Sequence, residues 1–88
     1  LIKAAWAGDL DVVRFLVEHG ADVNAKGQDN RTALMWAAQY APPEVIKYLL
    51  DHGADPNLET NSGATALMVA ETSDRPEITK LLKEAGAK

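Results

Sequence analysis

The sequence predicts an all-α solenoid: helix–turn–helix units stacked side by side and linked by β-turn or hairpin loops. Three observations carry that prediction. A shift of 33 residues lays the chain on itself without a gap, so that HGADVN at 19–24 meets HGADPN at 52–57, and Thr32-Ala33-Leu34-Met35 meets Thr65-Ala66-Leu67-Met68. A fixed period of this size marks units that bury their apolar faces only against one another. Within the period, apolar residues recur at helical spacing: Val12, Val13, Leu16 and Val17 superpose on Val45, Ile46, Leu49 and Leu50. Glycine follows each second helix, at Gly20, Gly53 and Gly86, where a left-handed residue ends a helix.

In chain order, the first short helix carries the pair Ala4-Ala5, small enough to let a neighbouring helix approach closely. Asp9 and Asp11 suit the start of the second helix, which bears the stripe Val12–Val17 and stops at Gly20. Residues 21–31 are rich in Asp, Asn and Gly and form the connection. Thr32 is then an N-cap, because its hydroxyl can accept from an open amide of the first turn. It opens the helix Ala33–Gln39, again with an alanine pair, Ala37-Ala38. Pro42 and Pro43 pre-set the next helix, whose stripe Val45, Ile46, Leu49, Leu50 leaves Lys47 and Asp51 outside. The connection 54–64, the N-cap Thr65 and the helix Ala66–Thr72 repeat the pattern. The last helix is expected to begin with a D-x-x-E capping pattern, Asp74 and Glu77. Pro76 falls in its first turn, where a missing N–H leaves nothing unpaired.

The strings TALMWAA, VIKYLLDHGADPN and DVVRFLVEHGADVN make the chain similar to ankyrin repeats over essentially its whole length. That resemblance implies an L-shaped stack of antiparallel helix pairs with hairpins projecting from one edge. Two departures stand out. The family's T-P-L-H reads T-A-L-M in both complete units, so apolar packing by Met35 and Met68 is expected to replace a histidine hydrogen bond. Asn30 stands where the next unit has Gly63, as a residue that tolerates a left-handed turn position. The resemblance also raises hydroxylation of Asn24 or Asn57 by an oxygenase, a modification found in animal ankyrin repeats. The competing expectation is that each asparagine ties down its own hairpin through side-chain to backbone hydrogen bonds.

The two ends differ from the middle. Glu71, Thr79 and Lys83 replace residues that are apolar in the earlier units (Ala5 and Ala38, Val13 and Ile46, Val17 and Leu50), as a face meeting water requires. At the other end Lys3 takes the slot of Trp36 and Val69. The chain is therefore divided into an N-terminal capping repeat (1–26), one full repeat (27–59) and a C-terminal capping repeat (60–88). On this division it is a complete miniature stack, while Leu1 in place of an initiating Met fits a fragment or a processed chain.

Composition narrows the function. A net charge of −4, with basic residues scattered singly among acids, provides no stripe to neutralise a nucleic-acid backbone. No apolar run reaches the roughly 20 residues of a membrane span, and no segment resembles a signal peptide. The absence of cysteine removes disulfides and thiolate metal sites and agrees with a cytoplasmic location. His19 and His52 lie one repeat apart, roughly 10 Å in a stack, without a third ligand beside them. They are read as polar ends of the second helices, near the last carbonyls. Neither a phosphate-cradling loop nor a nucleophile elbow is present, so no catalytic residue, cofactor or metal is assigned.

Function then falls to the surface. In ankyrin stacks the hairpin tips and first helices form a concave binding face. Carried over slot by slot, this face gives Gln28, Asp29 and Arg31 in the middle tip and Asn61 and Ser62 in the last tip. The helix-end slots give Trp6, Gln39 and Tyr40. Trp6 and Tyr40, with Arg31 nearby, have the composition of an interface hot spot. Trp36 is expected to lie in the core, facing the preceding repeat. The reading is a non-catalytic module that binds another protein or peptide, as a monomer with a weak homodimer as the alternative. The rival reading is a minimal engineered or excised scaffold without a natural ligand. Trp6 and Tyr40 exposed together on one face favour the first; burial, or rings pointing apart, favours the second.

Overall fold

Two layers of short helices make up the molecule. The computed structural model describes residues 1–87. One layer holds α1 (Ile2–Ala7), α3 (Ala33–Tyr40) and α5 (Ala66–Thr72); the other holds α2 (Leu10–Glu18), α4 (Pro43–Asp51) and α6 (Pro76–Glu84). Each helix packs against its neighbours in its own layer and against its partner in the other. No strand is present among the described residues.

The first layer packs on alanine, with Leu34, Met35 and Leu67 buried beside it. Ala5, Ala37, Ala38 and Ala70 are wholly buried, with Ala4 and Ala66 nearly so. The second layer is filled by larger side chains, Val13, Val45, Ile46, Leu49, Ile78 and Leu82, all without exposed surface. Both predicted threonine caps are in place. Thr32 Oγ1 accepts from Met35 N at 3.4 Å and Thr65 Oγ1 from Met68 N at 3.3 Å. The Thr32 amide in turn donates to Met35 Sδ at 3.5 Å, so a thioether closes a capping box that usually needs Glu or Gln. Met35 is buried, as expected, whereas Met68 is 49% exposed. The expectation of apolar packing fails there because α5 is the outermost helix of its layer.

Each second helix ends as the glycines predict. Gly20 has φ 93° and Gly53 φ 95°. Ala21 N donates to Leu16 O and Gly20 N to Val17 O, the paired bonds of a Schellman cap, and Ala54 and Gly53 repeat them. The capping pattern expected at α6 does not form. Pro76 at the first helical position starts the helix one residue later than D-x-x-E requires, which makes Arg75 the N-cap residue. Asp74 is itself left-handed, with φ 55°, and caps nothing.

The freed Arg75 works across the repeat boundary instead. Its guanidinium donates to Ala37 O and Ala38 O, both at 3.2 Å, and to Ala41 O. These include orphan carbonyls at the end of α3, where a cation also meets the negative end of the helix dipole.

The hairpins are likewise joined to one another. Gly27 N donates to Arg31 O and Thr60 N to Ala64 O, each at 2.9 Å, closing five-residue tips. In the middle tip both Asp29 (φ 58°) and Asn30 (φ 60°) are left-handed, so the expected turn role of Asn30 holds. Asn61 N donates to Asp29 O at 3.0 Å, and Asn30 Nδ2 to Asn61 Oδ1 at 2.7 Å. The expectation that Asn24 ties down its own hairpin is corrected. Its amide donates to Gly53 O at 3.0 Å and accepts from Asp55 N at 2.7 Å, holding the next unit. Asn57 reaches onward in the same way, to Gly86 O at 3.3 Å.

Arg75→Met keeps the aliphatic stem and removes the donors that close α3. It should destabilise the fold by about 2 kcal/mol, read as a lower urea midpoint with an unchanged m-value.

Candidate functional site

The helical period places Trp36 and Tyr40 one turn apart on α3, on the side that faces α1 and its Trp6. The three rings meet. Trp6 is edge-on to Trp36 at 6.2 Å and to Tyr40 at 6.3 Å, while Trp36 and Tyr40 lie near parallel, 15° apart, at 6.3 Å. Edge and offset contacts of this kind each contribute about 0.5–1.5 kcal/mol beyond area burial, so the rings hold one another in place. Even so, Trp6 remains 53% exposed and Tyr40 55%. The two predicted anchors are therefore exposed together on one face.

Trp36 is corrected. It does face the preceding unit, through Trp6, but it is only half-buried and belongs to this patch rather than to the sealed core. Its outer face is covered by Arg31, whose guanidinium carbon sits 3.9 Å from the ring centroid. Arg31 Nη2 donates to Gln39 Oε1 at 2.8 Å, and its buried Nε has no acceptor. A cation stacked on tryptophan gains about 0.5–2 kcal/mol. Arg31, Gln39 and Trp36 thus form a fixed block beside the two exposed rings. The spacing of Trp36 and Tyr40 was the signal that could have placed Trp36 here. The apolar Val69 in its slot pointed to the core instead.

The remaining predicted residues line the same side. Gln28 joins Ile2, Lys3, Trp6 and Trp36 around a depression of about 290 Å³. Asp29, Arg31, Asn61 and Ser62 share a second, of about 260 Å³, between the two tips. Arg31 and Gln39 border a third, of about 180 Å³, over α5. The side chains of Asn61 and Ser62 are engaged locally, with Asn30 Nδ2 and with Thr60 Oγ1 at 3.0 Å. None of these depressions is deep; the face is an open, furrowed surface.

Elsewhere the polar groups have structural roles. His19 Nδ1 lies 2.7 Å from Phe15 O and His52 Nδ1 2.8 Å from Tyr48 O, so each Nδ1 carries the proton and donates. Their rings stack on Phe15 and Tyr48 at 4.1 and 4.0 Å. Among the described residues, no group of three His, Asp or Glu side chains is placed to hold a metal ion, and no helix is long and apolar enough to cross a membrane.

Comparison with known proteins gives two findings. A family profile described as ankyrin repeats, in three copies, matches residues 1–88. A curated protein of Aspergillus oryzae (strain ATCC 42149 / RIB 40), the ankyrin repeat domain-containing protein oryK, is 39% identical over 44 residues. That match covers 50% of this chain and 7% of the longer protein.

The unequal exposure of the two indoles can be read by fluorescence. Trp36→Phe leaves only Trp6, which should emit at long wavelength and be quenched readily by acrylamide. Trp6→Phe leaves Trp36 beneath Arg31, with emission at shorter wavelength and a lower quenching constant. Equal quenching in the two variants would contradict the arrangement described.

Proposed function

Because this chain belongs to the ankyrin-repeat family, we propose that it binds a partner protein or peptide through the face bearing Trp6, Tyr40 and the Arg31–Trp36 block. Ankyrin repeats are generally protein–protein interaction modules and generally non-catalytic. The observation that carries the reading is the pair of exposed aromatic rings, held against one another and against a stacked arginine. Trp, Tyr and Arg are the residues most enriched among interface hot spots. Rings already locked in place lose little freedom when a partner covers them, so more of the contact energy appears as affinity.

Gln28 and Asp29 extend this face at the tip, and Asn61 and Ser62 continue it over the last unit. A shallow, continuous surface suits an extended segment or a flat protein surface and does not enclose a small substrate. The acidic balance of the chain mildly favours a basic partner surface, as complementarity and not as the source of affinity. The partner is expected to meet a face already in its binding shape, with little backbone movement.

The test compares the wild type with a Trp6→Ala/Tyr40→Ala double variant in pull-downs from lysate, followed by calorimetry on the partner retained. Circular dichroism checks that the variant is folded. Loss of two such anchors should weaken binding at least about a hundredfold. Equal retention by both proteins would remove this face from the proposal.

A further inference from the structure

Arg31 and Arg75 both reach α3, and their donors end differently. Arg75 delivers its guanidinium to the carbonyls that close the helix. Arg31 sits over Trp36 and donates once, from Nη2 to Gln39 Oε1 at 2.8 Å. A guanidinium carries five N–H groups and no acceptor. In Arg31 only Nε is sealed away from water, while Nη1 reaches the surface without a protein acceptor. No carboxylate among the described residues lies within 4.0 Å of it. Gln39 is left in a matching state. Its carbonyl is taken by Arg31, which fixes the orientation of the amide, and its Nε2 has no protein acceptor. Both side chains line the depression of about 180 Å³ over α5.

The charge around them is opposite in sign to that of the chain. Each second helix carries two acids: Asp11 and Glu18, Glu44 and Asp51, Glu77 and Glu84. The three depressions of the candidate face are lined instead by Lys3, Arg31 and a single acid, Asp29. The net charge of −4 therefore acts at long range, and a partner drawn in by it still meets cations at the face. Arg31, Ala64 and Val69 border both the depression over α5 and the one between the two tips. The cation thus stands midway along a trough, beside half-buried apolar side chains.

Resting on the reading that this face binds a partner, we propose that the partner is an extended segment carrying one carboxylate. The Asp or Glu side chain of that segment accepts from Arg31 Nη1 and Gln39 Nε2, and an aliphatic neighbour covers Ala64 and Val69. Such charge-assisted bonds are shorter and stronger than neutral ones. One face of the guanidinium already lies against Trp36, and this lower local dielectric strengthens the pairing further. Arg31 is also held in place before binding, so little side-chain freedom is lost. A phosphate fits less well, because this trough offers it one cation and Asp29 borders the same trough.

The probe is a phage-displayed library of random peptides, panned on the wild-type chain. The selected peptides should share an Asp or Glu close to an aliphatic residue. Replacing that acid by its amide should weaken binding to the wild type about tenfold or more. The same replacement should change little on Arg31→Met, whose fold is checked by circular dichroism. Arg31→Glu should select Lys or Arg in place of the acid, a reversal that lost packing on Trp36 does not produce. Binders without the acid, or an acid whose amide binds equally well, overturn the proposal. Phosphoserine that binds more tightly than the acid at that position also overturns it, by giving the site to phosphate. The Trp6→Ala/Tyr40→Ala variant separates this proposal from the reading beneath it. Peptides that depend on the two rings but carry no acid leave the face in place and remove only the carboxylate. Peptides retained equally by that variant and by Arg31→Met, or a library that yields no binder, remove both.

Discussion

A helix of six to nine residues does not persist alone in water, where about 12–15 residues are needed even for favourable sequences, and every α-helix here falls in that range. Contact between neighbours is therefore the condition for any secondary structure at all. In the layer of α1, α3 and α5 that contact is made by alanines together with Leu34, Met35 and Leu67, and in the layer of α2, α4 and α6 by Val, Ile and Leu. The layer richer in buried alanine is the one that carries Trp6, Trp36 and Tyr40.

Polar bonds then fix how far one unit turns on the next. Asn24 holds Gly53 and Asp55, Asn57 reaches Gly86, Asn61 holds the preceding tip, and Arg75 holds the end of α3. Each crosses a repeat boundary, so each depends on a register that no single unit specifies. This explains which features were legible in the sequence. Thr32, Thr65, Gly20 and Gly53 act within one turn of chain, where residue type and spacing suffice. Asn24 and Arg75 act on groups about 30 or more residues away, and reading them locally assigned Asn24 to its own hairpin and left Arg75 without a role. At α6, Pro76 prevailed over Asp74 because a fixed φ at the first helical position is a stronger constraint than one cap bond.

The candidate face was partly legible for a related reason. Comparing units slot by slot separates what the period requires from what varies, and it selected Trp6, Arg31, Gln39 and Tyr40, which the structure brings around one point. The same comparison misplaced Trp36, because burial at its position depends on α1 and on Arg31, and the second of these stacks on it from a hairpin. Exposure in a thin stack is decided by the neighbouring unit as much as by the residue.

The slots also show that the aromatic patch is not a requirement of the fold. Trp6 shares its slot with Gln39 and Thr72, Tyr40 with Ala7 and Ser73, and Trp36 with Lys3 and Val69. All three first helices form with these different occupants, so the scaffold tolerates small or polar side chains at each position. Two exposed rings add apolar surface to water, which their mutual contacts and the Arg31 stack offset in part. Their presence together, at positions where the scaffold accepts alternatives, separates this face from the polar end formed by Glu71, Thr79 and Lys83.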